Sequence, residues 1–210
     1  MPNLDMITFY HAPNSRGAVI RWMLEELGEP FDIHALDLQK GDHKKPDYLA
    51  INPMGKVPAI RHKGVVVTEV AAICCYLADE FPQAGLAPAV GDPRRGTYLR
   101  WTFFSPGCIE PAVWDKALKR EATSPGMIGY GEFDTVMDVA AKAVGKGPYL
   151  LGETFSAADV VFGSMIMWGM MFGIVPARPE FTAYAERLKQ RPAHQRATEA
   201  DAKLAAAQAA

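Results

Sequence analysis

The run Asn52-Pro53-Met54-Gly55-Lys56-Val57-Pro58, followed by Val67-Thr68-Glu69, holds the residues of this chain best placed to do chemistry. Pro58 opens a strand pattern, yet it has no N–H for a sheet ladder and its ring fixes φ. A cis Val57-Pro58 bond turns the Val57 N–H and C=O outward, where they can pair with a bound peptide as an added strand does. Glu69, opening the next helix, stands close enough to take the ammonium end of that peptide. The chemistry implied is capture of a small peptide with charged ends, gripped through main chain at its middle.

Positioning those residues requires a small sheet with helices. Met6 to Tyr10 reads as a strand. Asn14 or Ser15 can cap the following helix, whose Ile20, Met23, Leu24 and Leu27 fall at helical spacing before Gly28 and Pro30 stop it. Phe31 to Leu38 is strand-like, with Phe31 and Ile33 alternating with Asp32 and His34. Asp42 to Ile51 is polar, a short helix or irregular. Pro58–Arg61 and Val65–Thr68 form a hairpin around Lys63-Gly64, and Glu69–Phe81 is helical. Pro, Gly and Ala dominate Pro82 to Asp92, marking a linker between residues 1–83 and 92–210.

Past the linker no strand pattern occurs. Asp92-Pro93 predicts a helix start, running through Trp101, with Pro106-Gly107 and Pro111 interrupting or kinking it. A second helix covers roughly Glu132 to Val144. Ser156 and Asp159 form a variant capping box ahead of an uncharged run, Val160 to Val175. Apolar residues occur all round that run, as in a helix buried on every side, and it is too short to span a bilayer. A last amphipathic helix uses Phe181, Tyr184 and Leu188 and is expected to end at Pro192. The alanine-rich tail from Ala193 carries little information.

Composition excludes several classes. The 210 residues are 49% hydrophobic with net charge -2, enough for one or two packed domains and without the basic footprint of a nucleic-acid binder. Cys74, Cys75 and Cys108 show neither metal-ligand spacing nor an even count, which fits a reducing compartment. An N-terminus carrying Asp5 and no long apolar run predicts no secretion signal. The expected location is cytoplasmic.

Four sequence features together resemble the glutathione transferase superfamily along nearly the whole chain. They are Leu24-Glu25-Glu26-Leu27-Gly28, the Asn52 to Pro58 run, Glu69 with Ala72-Ile73 and Tyr76-Leu77, and Ser156 with Asp159. The resemblance is nearest to bacterial and theta-like branches. It implies an α/β plus all-α protein: a thioredoxin-like N-terminal domain of order β-α-β-α-β-β-α, then an all-helical C-terminal domain carrying an electrophile site. A homodimer is implied, with a detoxifying transferase activity and no membrane or nucleic-acid partner.

Carried over by that resemblance, Val57 binds the cysteinyl backbone of glutathione and Pro58 is cis. Lys56 and His43 contact the glycine carboxylate, and Glu69 holds the γ-glutamyl ammonium. Where the family usually has serine, this chain has Val70. The backbone N–H there can still bind the γ-glutamyl carboxylate, but a hydrogen bond to charge worth about 1.5–3 kcal/mol is lost. Tyr98 and Trp101 are the expected electrophile contacts.

The theta-like serine position, counted back from Arg16, is Ala12. Ser15 and Asn14 then remain as catalytic candidates, their donors and the helix dipole stabilising a thiolate, with Tyr10 third in the same cofactor-binding loop. A thiol of pKa about 8.5 is about 3% ionised at neutral pH. Lowering that value by about two units raises thiolate about 25-fold while nucleophilicity falls about 8-fold, so positioning the apolar electrophile must supply most of the rate. Other expectations are an isomerase, peroxidase or dehalogenase using glutathione, or a non-catalytic ligand-binding or interaction protein of the same fold.

Overall fold

The computed structural model describes residues 5–120 and 125–209, which form two compact units. The first comprises residues up to Ala84 together with the C-terminal helix from Pro192. Its elements are β1 (Ile7–His11), α1 (Gly17–Leu27), β2 (Phe31–Ala35), a 3₁₀ turn (Asp42–Lys44), α2 (Pro46–Leu49), β3 (Ala59–His62), β4 (Val65–Thr68) and α3 (Val70–Glu80). The expected thioredoxin-like order is present.

The sheet runs β2-β1-β3-β4, with β1 parallel to β2 and antiparallel to β3, and β3 antiparallel to β4. One cross-sheet row aligns His34, Tyr10, Ala59 and Thr68. That register has a functional consequence. Everything just beyond the row emerges at one edge of the sheet: the turn after His11, the Val57-Pro58 step before β3, and Glu69 after β4.

Local chemistry explains the elements. α1 buries Ile20, Trp22, Met23, Leu24 and Leu27, and Gly28 ends it at φ 76 with its N–H on the Leu24 carbonyl. Lys63 and Gly64 both adopt positive φ (51 and 76), the pairing a tight two-residue hairpin requires. β2 stops at Ala35, short of the Leu38 expected, and is mostly exposed. Its side-chain alternation buries little because it is an edge strand with one neighbour.

The second unit, residues 85–191, is helical: α4 (Arg95–Phe104), a π-helical turn (Ser105–Ile109), α5 (Glu110–Ala117), α6 (Phe133–Val144), α7 (Ala157–Met171) and α8 (Pro179–Lys189). The prolines at 106 and 111 mark that π-turn, as anticipated. α4 starts later than Asp92-Pro93 suggests. Asp92 instead accepts the Arg94 N–H at 2.8 Å and binds its guanidinium, closing a turn just before the helix.

α7 is buried along most of its length, and its capping box forms. Asp159 accepts from the Ser156 N–H (2.9 Å), the Leu150 N–H (2.9 Å) and the Tyr184 hydroxyl (2.8 Å). Burial pushes its carboxyl pKa up despite those donors. Gly163 lets α7 meet α8 closely: a Cβ there would overlap the Leu188 Cδ1 methyl and force that side chain to shift.

The tail departs most from expectation. Pro192 does not end the helical region but begins an 18-residue helix, α9 (Pro192–Ala209), because proline is tolerated in a first turn. α9 belongs to the first unit, not to the second as the 92–210 boundary supposes. Its alanines at 193 and 197 are buried, and the His194 ring meets Trp22 of α1 edge-on at 4.8 Å. Small side chains made the tail uninformative in sequence and close-packing in structure.

Candidate active site

The site begins with the peptide before Val57. Tyr48, in α2, donates its hydroxyl to the Lys56 carbonyl at 2.6 Å, and the Asn52 amide donates to the same oxygen at 2.8 Å. Asn52 also accepts the Met54 N–H at 3.1 Å. The carbonyl just ahead of Val57 is thereby fixed from two sides. The Val57-Pro58 bond is cis. Val57 is half-buried against a cluster of Tyr10, Ala12, Leu36, Tyr48 and Ala59. Burial pushes the Tyr48 phenol pKa up to about 12, so it stays a donor at physiological pH.

Glu69 lies on the far side of the Ala59–Thr68 pair, at φ 68 and ψ 124. A non-glycine residue in such a conformation costs on the order of 1–3 kcal/mol and persists where the surroundings impose it. Glu69 is exposed, and no side chain caps the head of α3. A carboxylate with no partner among the described residues thus stands beside the uncapped first N–H groups of a helix. That pair of features can hold both the ammonium and the carboxylate of one amino-acid end. Val70 contributes only its N–H.

The 3₁₀ turn supplies the cations. Gly55, at φ 59, leaves room for Lys44, whose Nζ lies 2.9 Å from where a Gly55 Cβ would sit. Lys56 is exposed, and the buried Nδ1 of His43 has no hydrogen-bond partner among the described residues. Lys44 was not singled out from sequence; only its place in a basic run beside Gly55 hinted at it.

In the turn after β1, Ser15 is already committed. Its hydroxyl donates to the Ala12 carbonyl at 2.6 Å and accepts the Gly17 N–H at 3.0 Å. It therefore spends its proton on the turn, and it does not cap α1 in the usual sense, where Arg16 holds the cap position. Asn14 is exposed at φ 55, and its side chain makes no hydrogen bond to the described residues. Tyr10 belongs to the core, its ring 5.2 Å from His34 and 5.9 Å from Tyr48.

The sheet edge thus brings together Asn14, Ser15, Val57, Pro58, Glu69 and Val70, all within the first unit. Tyr98 and Trp101 lie in the second unit and are core residues. Tyr98 is 0% exposed and Trp101 8%, the latter packed against Phe104 and Phe162. Helix α4 turns Tyr98 fully inward, which removes it from the expected electrophile contacts. Sequence reasoning also passed over Tyr48, and took Asn52 only as part of its run; that both donate to the Lys56 carbonyl depends on a fold-back no local pattern reveals.

Cys74 and Cys108 do not suit a reactive role. Cys74 is buried and its thiol pKa pushed well up by that burial, and burial raises Cys108 as well. Among the described residues no acidic, histidine or cysteine cluster could hold a metal ion, and no helix is long and apolar enough to cross a membrane.

Residues 17–80 match the family profile of the glutathione S-transferase N-terminal domain. A disulfide-bond oxidoreductase of Escherichia coli K12, YfcG, is 28% identical over 202 residues, covering 90% of this chain and 92% of its own. A glutathione transferase from Methylococcus capsulatus strain Bath superposes with a TM-score of 0.78 at 29% identity, covering 94% of this chain and 99% of its own. A sphingomonad glutathione S-transferase solved with glutathione gives 0.75 at 29% identity, over 93% and 98%. Matching topology and similarity along nearly the whole chain make this protein similar to glutathione S-transferases, with the family's N-terminal domain profile matched over residues 17–80.

Proposed function

We propose that the protein is a glutathione S-transferase in which the first unit binds glutathione and activates its thiol for attack on a small apolar electrophile. The observation that carries this reading is Glu69, a carboxylate in a strained conformation at the uncapped head of α3. It suits the γ-glutamyl ammonium, and the N–H groups of Val70 and its successor suit the adjacent carboxylate. The Val57 main chain pairs with the cysteinyl residue, and Lys44, Lys56 and His43 face the glycine carboxylate. Relatives that include a glutathione-bound structure support the same ligand.

In this arrangement the Asn14 amide and the positive end of α1 stabilise the thiolate, while Ser15 shapes the turn. The sulfur forms a carbon–sulfur bond as the leaving group departs with the electron pair, and the thiol proton passes to solvent. A homodimer in a reducing compartment fits the relatives and the free cysteines.

A second reading, glutathione-dependent disulfide exchange, is favoured by the likeness to an oxidoreductase. Bound glutathione, not a protein cysteine, would be its nucleophile, given the raised Cys74 and Cys108 thiols. Calorimetry with glutathione, then turnover of chlorodinitrobenzene against hydroxyethyl disulfide, separates the cases. Conjugation supports the transferase and disulfide reduction the second reading; binding without turnover of either marks a ligand carrier. No binding at millimolar glutathione rejects all three.

A further inference from the structure

His11 ends β1 immediately before the catalytic turn and is completely buried, its ring stacked on Phe9 at 4.7 Å. Its Nε2 lies 2.9 Å from Oδ1 of Asp201, which is 14% exposed and sits within α9. A carboxylate only accepts, so this contact assigns a proton to Nε2. Nδ1 has no hydrogen-bond partner among the described residues. An apolar side chain would fill the same space without that penalty, so the histidine calls for an explanation beyond packing.

Its surroundings supply one. The ring lies directly under the first residue of α1, since a Cβ on Gly17 would overlap Nδ1. Gly17 in turn donates its N–H to Ser15, and Ser15 donates to Ala12, the neighbour of His11. The His11 carbonyl is held by the Leu36 N–H at 2.7 Å. One end of the Ala12–Arg16 turn thus starts at His11, the other packs through Gly17 on the His11 imidazole, and Asn14 is exposed between them.

We propose that Asp201 and His11 are positioning residues: the carboxylate on the C-terminal helix locks the imidazole that sets the Asn14–Ser15 turn against the glutathione sulfur. This rests on the glutathione reading of the site. α9 has other anchors, Arg196 on Glu25 (2.9 Å) and Gln208 on the Leu36 carbonyl (3.3 Å), so removing Asp201 leaves the helix docked.

The test compares wild type with Asp201→Ala, Asp201→Asn and Arg196→Ala. Readouts are melting temperature, glutathione Kd by calorimetry, the bound thiol pKa from ultraviolet thiolate absorbance, and kcat and KM with chlorodinitrobenzene. Asp201→Ala is expected to raise the bound thiol pKa by about one unit and lower kcat about tenfold, with Kd within about twofold. Asp201→Asn, which still offers an acceptor to Nε2, restores most of both. Arg196→Ala lowers the melting temperature and leaves the thiol pKa unchanged.

The proposal is overturned if Asp201→Ala keeps the wild-type thiol pKa and kcat, or if Arg196→Ala reproduces its effects, which would reduce the pair to helix docking. Wild type that binds no glutathione overturns the reading of the site itself, and the proposal with it. Wild type that binds and turns over while the Asp201 variants match it removes the pair alone.

Discussion

Tyr48 and Asn52 donate to one oxygen, the Lys56 carbonyl, at 2.6 and 2.8 Å. Either donor alone satisfies that carbonyl, so removing one costs about 1 kcal/mol and removing both leaves a partly buried acceptor unpaired. Tyr48→Phe and Asn52→Ala should therefore combine to more than their sum in urea unfolding, with glutathione affinity falling most in the double variant. Strict additivity would mean that each donor contributes on its own and neither stands in for the other.

Tyr48 also gives a pH signature. Its folded-state pKa of about 12 lies above the ordinary 10.0 because burial disfavours the phenolate. The native chain keeps a proton that the unfolded chain has lost, so the contribution to stability is complete below pH 10 and disappears as pH rises towards about 12. Alkaline unfolding curves of wild type and Tyr48→Phe should converge across that window. Parallel curves would show that Tyr48 titrates like a free tyrosine.

Glu69 combines strain with charge, and two substitutions separate them. Glu69→Gln keeps the backbone and removes the charge; glutathione Kd should weaken about 10- to 100-fold, as for a lost charge-assisted hydrogen bond. Glu69→Gly relieves the positive φ and should gain about 1 kcal/mol of stability while binding at least as poorly as Glu69→Gln. A Glu69→Gly protein that binds normally would place the ammonium elsewhere.

Restoring a hydroxyl at the head of α3 makes a gain-of-function test. Val70→Ser should tighten glutathione binding about tenfold, the lower end for a hydrogen bond to a charged group. Unchanged affinity would show that the backbone N–H already satisfies that carboxylate.

In the helical unit, Asp159→Ala strands the Leu150 and Ser156 N–H groups and the Tyr184 hydroxyl in a buried setting. The loss should be about 3 kcal/mol or more in urea unfolding, and Asp159→Asn should lose less. A loss under about 1 kcal/mol would mean that water replaces the carboxylate.

Much of this was legible in the residues. Apolar spacing located α1 and α3, Lys63-Gly64 located the hairpin, and Ser156 with Asp159 located the start of α7. These signals are local: a cap, a turn or a helical stripe is written within a few neighbouring residues. The cis Val57-Pro58 bond and the place of Glu69 at the head of α3 were legible for the same reason, since each is written in adjacent residues.

The non-local relationships were not. Tyr98 is an expected electrophile contact by resemblance, and only the packing of α4 turns it inward. Ser15 looks like a free hydroxyl until the turn folds it onto Ala12. Sequence alone determined that a thioredoxin-like sheet would carry a Val-Pro step and a glutamate at one edge. Tertiary structure alone decided that the alanine-rich tail returns to that sheet and places Asp201 on His11, because a contact between residues so far apart is fixed by packing and by no pattern along the chain.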